Sequence, residues 1–150
     1  MKHYKKSDLS SVSFDVNGII EKAEAAIGTE PLHITDYPAP LSIGSIHDYY
    51  SNGDYWWPNP DTTNGLPYIQ RDGESNPNNF NSHRILLRKL RTNVANLAAA
   101  YHVTSHEKYA EKAAVLLNEF FLDESTRMNP HLLYAQAIPG VCTGRGIGII

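Results

Sequence analysis

Side chains able to do chemistry gather in two parts of this chain. The first is Tyr55-Trp56-Trp57, three flat rings in a row that include both tryptophans of the molecule, followed by Asn59 and Arg71. Aromatic faces beside amide and guanidinium donors suit a sugar, whose apolar face stacks on a ring while polar groups read hydroxyls and carboxylates. The competing reading is that the tryptophans plug a loop onto a helical core. The second part is His83-Arg84 together with Asn129, His131, Tyr134 and Gln136 of the segment MNPHLLYAQ. His83 and Arg84 fall in the first turn of the clearest helix, where free backbone N–H groups and a guanidinium would jointly attract a carboxylate. Solvated residues at a helix start would look the same. Tyr134 is either core or a carrier of a proton.

Other patterns carry less. His102 and His106 stand four apart, as two metal ligands on one helix face would, but they straddle a turn and no cysteine or paired carboxylate completes a set, so no metal is expected. Gly144, Gly146 and Gly148 lack the spacing, the following Lys-Ser/Thr and the preceding strand of a phosphate loop. Cys142 is the single cysteine, which excludes an internal disulfide and reads as an idle thiol.

The elements that must position these groups are mainly helical. Val16, Ile19, Ile20, Ala23 and Ile27 recur at helical spacing between Asp15, a natural N-cap, and Gly28, a natural stop. Leu86, Leu90, Val94, Leu97 and Tyr101 mark a helix over 82–101 with Asn81 or Ser82 as its cap. Tyr109, Ala113, Leu116, Leu117 and Phe120 mark another over 105–121, opened by a capping box of Thr104 and Glu107. Two amphipathic helices joined so closely must fold back as an antiparallel hairpin. Residues 29–52 are proline-broken. Residues 53–74, GDYWWPNPDTTNGLPYIQRDGE, fit neither helical nor strand periodicity, and their prolines and Asn-Gly and Asp-Gly pairs predict an ordered loop. Strand signals are nearly absent, so the expected fold class is mainly α with long structured loops.

At 150 residues the chain is the size of one domain, and a net charge of -3 with a pI near 6.1 gives no electrostatic reason to expect nucleic acid. No stretch has the length and apolarity of a membrane span, and the basic start is followed by polar residues rather than the apolar run of a signal peptide. Residues 1–14 read as a flexible N-terminus. The glycine-rich apolar end, GVCTGRGIGII, is an unusual way for a domain to stop and suggests a truncated one. A helical-repeat interaction module is the alternative from another class, because residues 98–121 read like one hairpin of such an array. A 34-residue period should then reappear upstream, where the chain is broken by proline.

The loop GDYWWPNPDTTNGLPYIQRDGESNP, the helix start Ser82-His83-Arg84, the runs ANLAAAY and KYAEKAA, and TRMNPHLLYAQAIPGVCTGRGIGII together resemble the alginate-lyase-like polysaccharide lyases. The resemblance covers about Val16 to Ile150. It implies a partial (α/α) toroid of antiparallel helical hairpins over residues 15–150, around a cleft for an acidic polysaccharide. It also implies β-elimination at a uronic acid, as in alginate or glucuronan, with no organic cofactor, and a periplasmic or secreted location. Such enzymes carry an Asn-Asn-His block on a later helix, with Arg and Tyr beyond; here Asn78-Asn79 is followed by Phe80. The resemblance thus places the main catalytic set beyond Ile150, with Tyr134, His83 and His131 the candidates within the chain. It makes Tyr55, Trp56, Trp57, Asn59, Arg71, His83, Arg84, Asn129, Tyr134 and Gln136 the substrate wall. A domain so cut would expose helical faces through which it could associate, and could be a non-catalytic sugar-binding fragment.

Overall fold

The structure, a computed structural model, describes residues 15–146; the expected flexible N-terminus and the end of the glycine-rich tail lie outside the described residues. Helix α1 spans Val16–Ile27, and Asp15 caps it as its spacing predicts, its Oδ1 accepting the Gly18 N–H at 3.0 Å. Any side chain at position 18 would strike that carboxylate, so the glycine that weakens the helix by propensity is what lets its cap close.

Helix α2 (Ser82–Thr104) and helix α3 (Glu107–Phe121) form the expected hairpin, and α2 packs against both α1 and α3. The details differ from expectation. Helix α2 continues to Thr104 and ends on Ser105, which adopts left-handed φ 56 and sends its N–H to the Tyr101 carbonyl. Thr104 therefore lies inside α2, where its hydroxyl donates to the Ala100 carbonyl at 2.7 Å and accepts from His106 N–H at 3.1 Å; the capping box does not form. Asn81 is the N-cap residue of α2 by position but makes no side-chain capping bond. The apolar stripes also sit slightly rotated. Leu86, Leu90, Leu97, Ala100, Tyr109, Leu116 and Phe120 form the core with Ala23, Ala26, Leu32 and Ile34, while Tyr101 and Leu117, both expected inside, are each 39% exposed.

Polar ties lock α1 to the hairpin. Lys108 Nζ and the Tyr109 hydroxyl both donate to Glu24 Oε1, at 2.6 and 2.7 Å, and Lys112 Nζ reaches the Thr29 carbonyl at 2.8 Å.

The loops hold more extended structure than their prolines and glycines predict. Strand β1 (Tyr50–Asn52) pairs in parallel with β4 (Tyr134–Ala137), and β2 (Trp56–Trp57) pairs antiparallel with β3 (Ile69–Gln70). The stretch 53–74 is thus a small hairpin rather than a loop without strands. It escapes sequence reading because two-residue strands are too short to show alternation. Asparagines secure it from behind: Asn76 Nδ2 donates to the Trp56 carbonyl, Asn79 Nδ2 to that of Gly53, and Asn52 Oδ1 accepts the Phe80 N–H.

Candidate functional site

The β1–β4 pair is irregular, and the irregularity shapes the site. Tyr50 faces Tyr134 and Asn52 faces Ala137, so Ala135 and Gln136 together oppose Ser51. This is a β-bulge, and Gln136 takes left-handed φ 57, a conformation that costs a non-glycine residue about 1 kcal/mol. The Ser51 hydroxyl accepts the displaced Gln136 N–H at 3.0 Å.

Beyond β4 the chain turns at Gly140, where φ is 79, and Ile138 and Cys142 exchange backbone bonds of 2.9 Å. It then returns along β4, with Arg145 N–H donating to the Ala135 carbonyl at 2.8 Å. Gly144 permits that approach, since a Cβ there would run into the Leu133 carbonyl and lie 2.5 Å from Tyr134 Cα. The return brings Arg145 onto Gln136, its Nε donating to the Gln136 carbonyl at 3.2 Å and its Nη2 to Oε1 at 3.0 Å. The glycine-rich end thus has a structural purpose as far as Gly146.

The outcome is a cleft of about 190 Å³ lined by Asp54, Tyr55, Trp56, Gln70, Gln136 and Arg145. Tyr55 is 42% exposed at its mouth. Arg84 stands behind Asp54, its Nη1 contacting both carboxylate oxygens at 2.8 and 3.0 Å. Of the sequence candidates, Tyr55, Trp56 and Gln136 share the cleft and Arg84 supports it. Asp54, Gln70 and Arg145 were not among them. The available signal for Arg145 was its place between two glycines, which lets the backbone approach another strand and leaves the arginine the only reaching group.

The remaining candidates are elsewhere or already engaged. Trp57 Nε1–H donates to the Glu74 carbonyl at 2.9 Å, and the Arg71 guanidinium carbon lies 4.8 Å from the centroid of its ring. Asn59 folds a local turn, accepting the Asp61 N–H at 3.0 Å. His83 is 2% exposed, with Nδ1 accepting the Tyr50 N–H at 3.0 Å and Nε2 lying 2.8 Å from the Tyr37 carbonyl. The proton must therefore sit on Nε2, and burial holds the pKa of the ring below its usual value. Asn129 and His131 converge on the buried Asp48: Asn129 Nδ2 donates to Oδ1 at 2.7 Å, and His131 Nε2 lies 3.2 Å from the same atom. Burial pushes the Asp48 pKa up, but hydrogen bonds from Asn129 and Ser45 outweigh it and bring it below the usual value. Tyr134 packs edge-on against His131, with ring centroids 6.3 Å apart, on a different part of β4 from the cleft. His102 closes the last turn of α2, and His106 stacks over Tyr109 at 6.4 Å.

Ring faces, an amide and a guanidinium that meets no carboxylate among the described residues line one cleft, an arrangement suited to polar molecules with flat apolar faces. The family is more specific: the sequence model for alginate lyase matches residues 34–150, and the chain belongs to the alginate lyase family. A crystal structure of an alginate lyase from Bacteroides ovatus is similar to it, with 39% identity and a TM-score of 0.78 over 94% of this chain. The chain spans 38% of that protein's length. No curated protein matches it. The family takes the place of the helical-repeat alternative. Among the described residues no helix is long and apolar enough to cross a membrane.

Proposed function

We propose that this chain is the N-terminal, substrate-holding part of a polysaccharide lyase domain, acting on a uronic-acid chain such as alginate or glucuronan. The observation that carries the reading is the Tyr55–Trp56 cleft with a guanidinium on its wall, in a chain of the alginate lyase family. In the reaction a uronate carboxylate is neutralised, the C5 proton leaves and the bond to O4 breaks, giving an unsaturated sugar. That sequence needs donors fixed on the carboxylate before the proton moves, plus a base and an acid within reach of their targets.

The cleft residues supply binding and orientation. His83 has both ring nitrogens committed to backbone groups, which disfavours it as base or acid. Tyr134 and His131 lie together and do not line the cleft, which favours the reading that the proton-transferring groups come from the remainder of the complete domain. There, α1–α3 become one section of an (α/α) toroid, in a protein that is secreted or periplasmic.

Calorimetry of the chain with an oligouronate tests the reading. Binding by the wild-type chain, weakened about fivefold or more in Tyr55→Ala and Trp56→Ala, supports it, on the scale of about 1 kcal/mol per aromatic contact. Unchanged affinity in both variants would return the rings to a structural role. In the ultraviolet assay for unsaturated product this chain should show little turnover, and a form extended through the rest of the domain should show it clearly.

A further inference from the structure

Three arginines stand around the aromatic hairpin, and their charges are disposed of differently. Arg84 is neutralised by Asp54 at 2.8 Å. Arg71 lies against Trp57 with Glu74 4.0 Å from its Nη1. Arg145 pairs with no carboxylate among the described residues; its two anchors, Gln136 O and Oε1, are neutral. A neutral anchor fixes direction without cancelling charge, because an amide oxygen accepts a hydrogen bond but contributes no countercharge.

We infer that Arg145 is the group that reads the substrate's carboxylate, and that Gln136 is the residue that positions it. This rests on the saccharide-binding reading above and adds to it the source of selectivity for acidic over neutral sugars. Three features converge on it. The guanidinium lines the same cleft as Tyr55 and Trp56, so a sugar stacked there places its C5 substituent near a cation. The other charged group on that wall, Asp54, has its charge offset by Arg84, which removes what would otherwise repel a uronate. The chain also accepts a strained bulge at Gln136, a hydroxyl partner at Ser51 and a side-chain-free Gly144 to bring these two residues together. Strain retained where surrounding structure enforces it is characteristic of binding and catalytic positions.

The test compares two ligands on the same variants: an oligouronate and its carboxyl-reduced, neutral counterpart. Arg145→Ala should weaken the oligouronate about tenfold to a hundredfold, the range for a lost charge-assisted hydrogen bond, and leave the neutral ligand unchanged. Arg145→Lys should recover part of the loss. Gln136→Glu should mimic Arg145→Ala while leaving the guanidinium in place, because the new carboxylate neutralises it. Retained binding of the neutral ligand certifies that each variant is folded. Equal weakening of both ligands, or no weakening of the oligouronate, would overturn the assignment of Arg145. If wild type binds both ligands alike and Trp56→Ala weakens both, the saccharide cleft stands and only the carboxylate reader is lost. Failure of wild type to bind either ligand would overturn both readings.

Discussion

The Tyr50 N–H donates to Nδ1 of His83 at 3.0 Å, across the junction between β1 and the first turn of α2. With Nε2 turned to Tyr37, one buried imidazole joins the extended layer, the helix and the proline-broken segment before them. Removing it strands two backbone groups in the interior, so His83→Ala should cost roughly 2–4 kcal/mol in urea unfolding, from two orphaned partners and a cavity.

The same ring predicts a pH dependence. Its folded pKa is depressed below the ordinary 6.5, so the unfolded state binds the proton more readily. Stability from this site should be full above about pH 6.5 and fall as pH drops below it. Melting temperatures at pH 7.5 and 5.5 measure this. The difference should shrink in His83→Gln, and an equal difference in the variant would move its cause to another group.

Asp48 should add a second, more acidic transition. Its folded pKa lies below the ordinary 3.8, so it stabilises the fold above that value, and the contribution is lost as pH falls through the folded pKa. Asp48→Asn should flatten the acid limb below about pH 4 while lowering stability near neutrality. The substitution leaves an oxygen to accept from Asn129 but sets an amide NH2 against the Ser45 N–H in place of Oδ2, which accounts for the loss near neutrality.

The two tryptophans should separate in their effects. Trp56 lines the cleft, so Trp56→Ala should act mainly on ligand affinity. Trp57 is bound to Glu74 and covered by Arg71, so Trp57→Phe should act mainly on stability, by about 1 kcal/mol from the indole hydrogen bond and part of the cation–π contact. Denaturation and calorimetry on the same samples distinguish the two, and matching losses in both measurements would show that the rings act as one unit.

The hairpin of α2 and α3 was legible because each helix repeats its apolar residues over about three turns or more, and the aromatic hairpin was legible as a place because so many rings fall together. Its strands were not, since two residues cannot show a period. His83 reads in the sequence as a substrate contact or a solvated group at a helix start, and nothing local reveals that Tyr50, 33 positions earlier, needs its nitrogen. Arg145 is hidden in the sequence for a related reason: its partner Gln136 meets it only after a turn at Gly140 and a close pass at Gly144, both of which depend on strands still to be formed.

The β1–β4 pairing carries a consequence for how the molecule comes into being. Gln136 bonds to Ser51 across 85 positions, so the aromatic half of the cleft is synthesised long before its other wall exists. During translation, α2 and α3 can pair by contacts close in sequence as soon as they emerge, whereas closing the extended layer waits for residues past 134 and carries the entropy of a long loop. A ribosome-bound chain halted with about 125 residues exposed should therefore already hold the helical hairpin and resist cleavage there. Its Trp56–Trp57 segment should remain open to protease until β4 and Arg145 have followed.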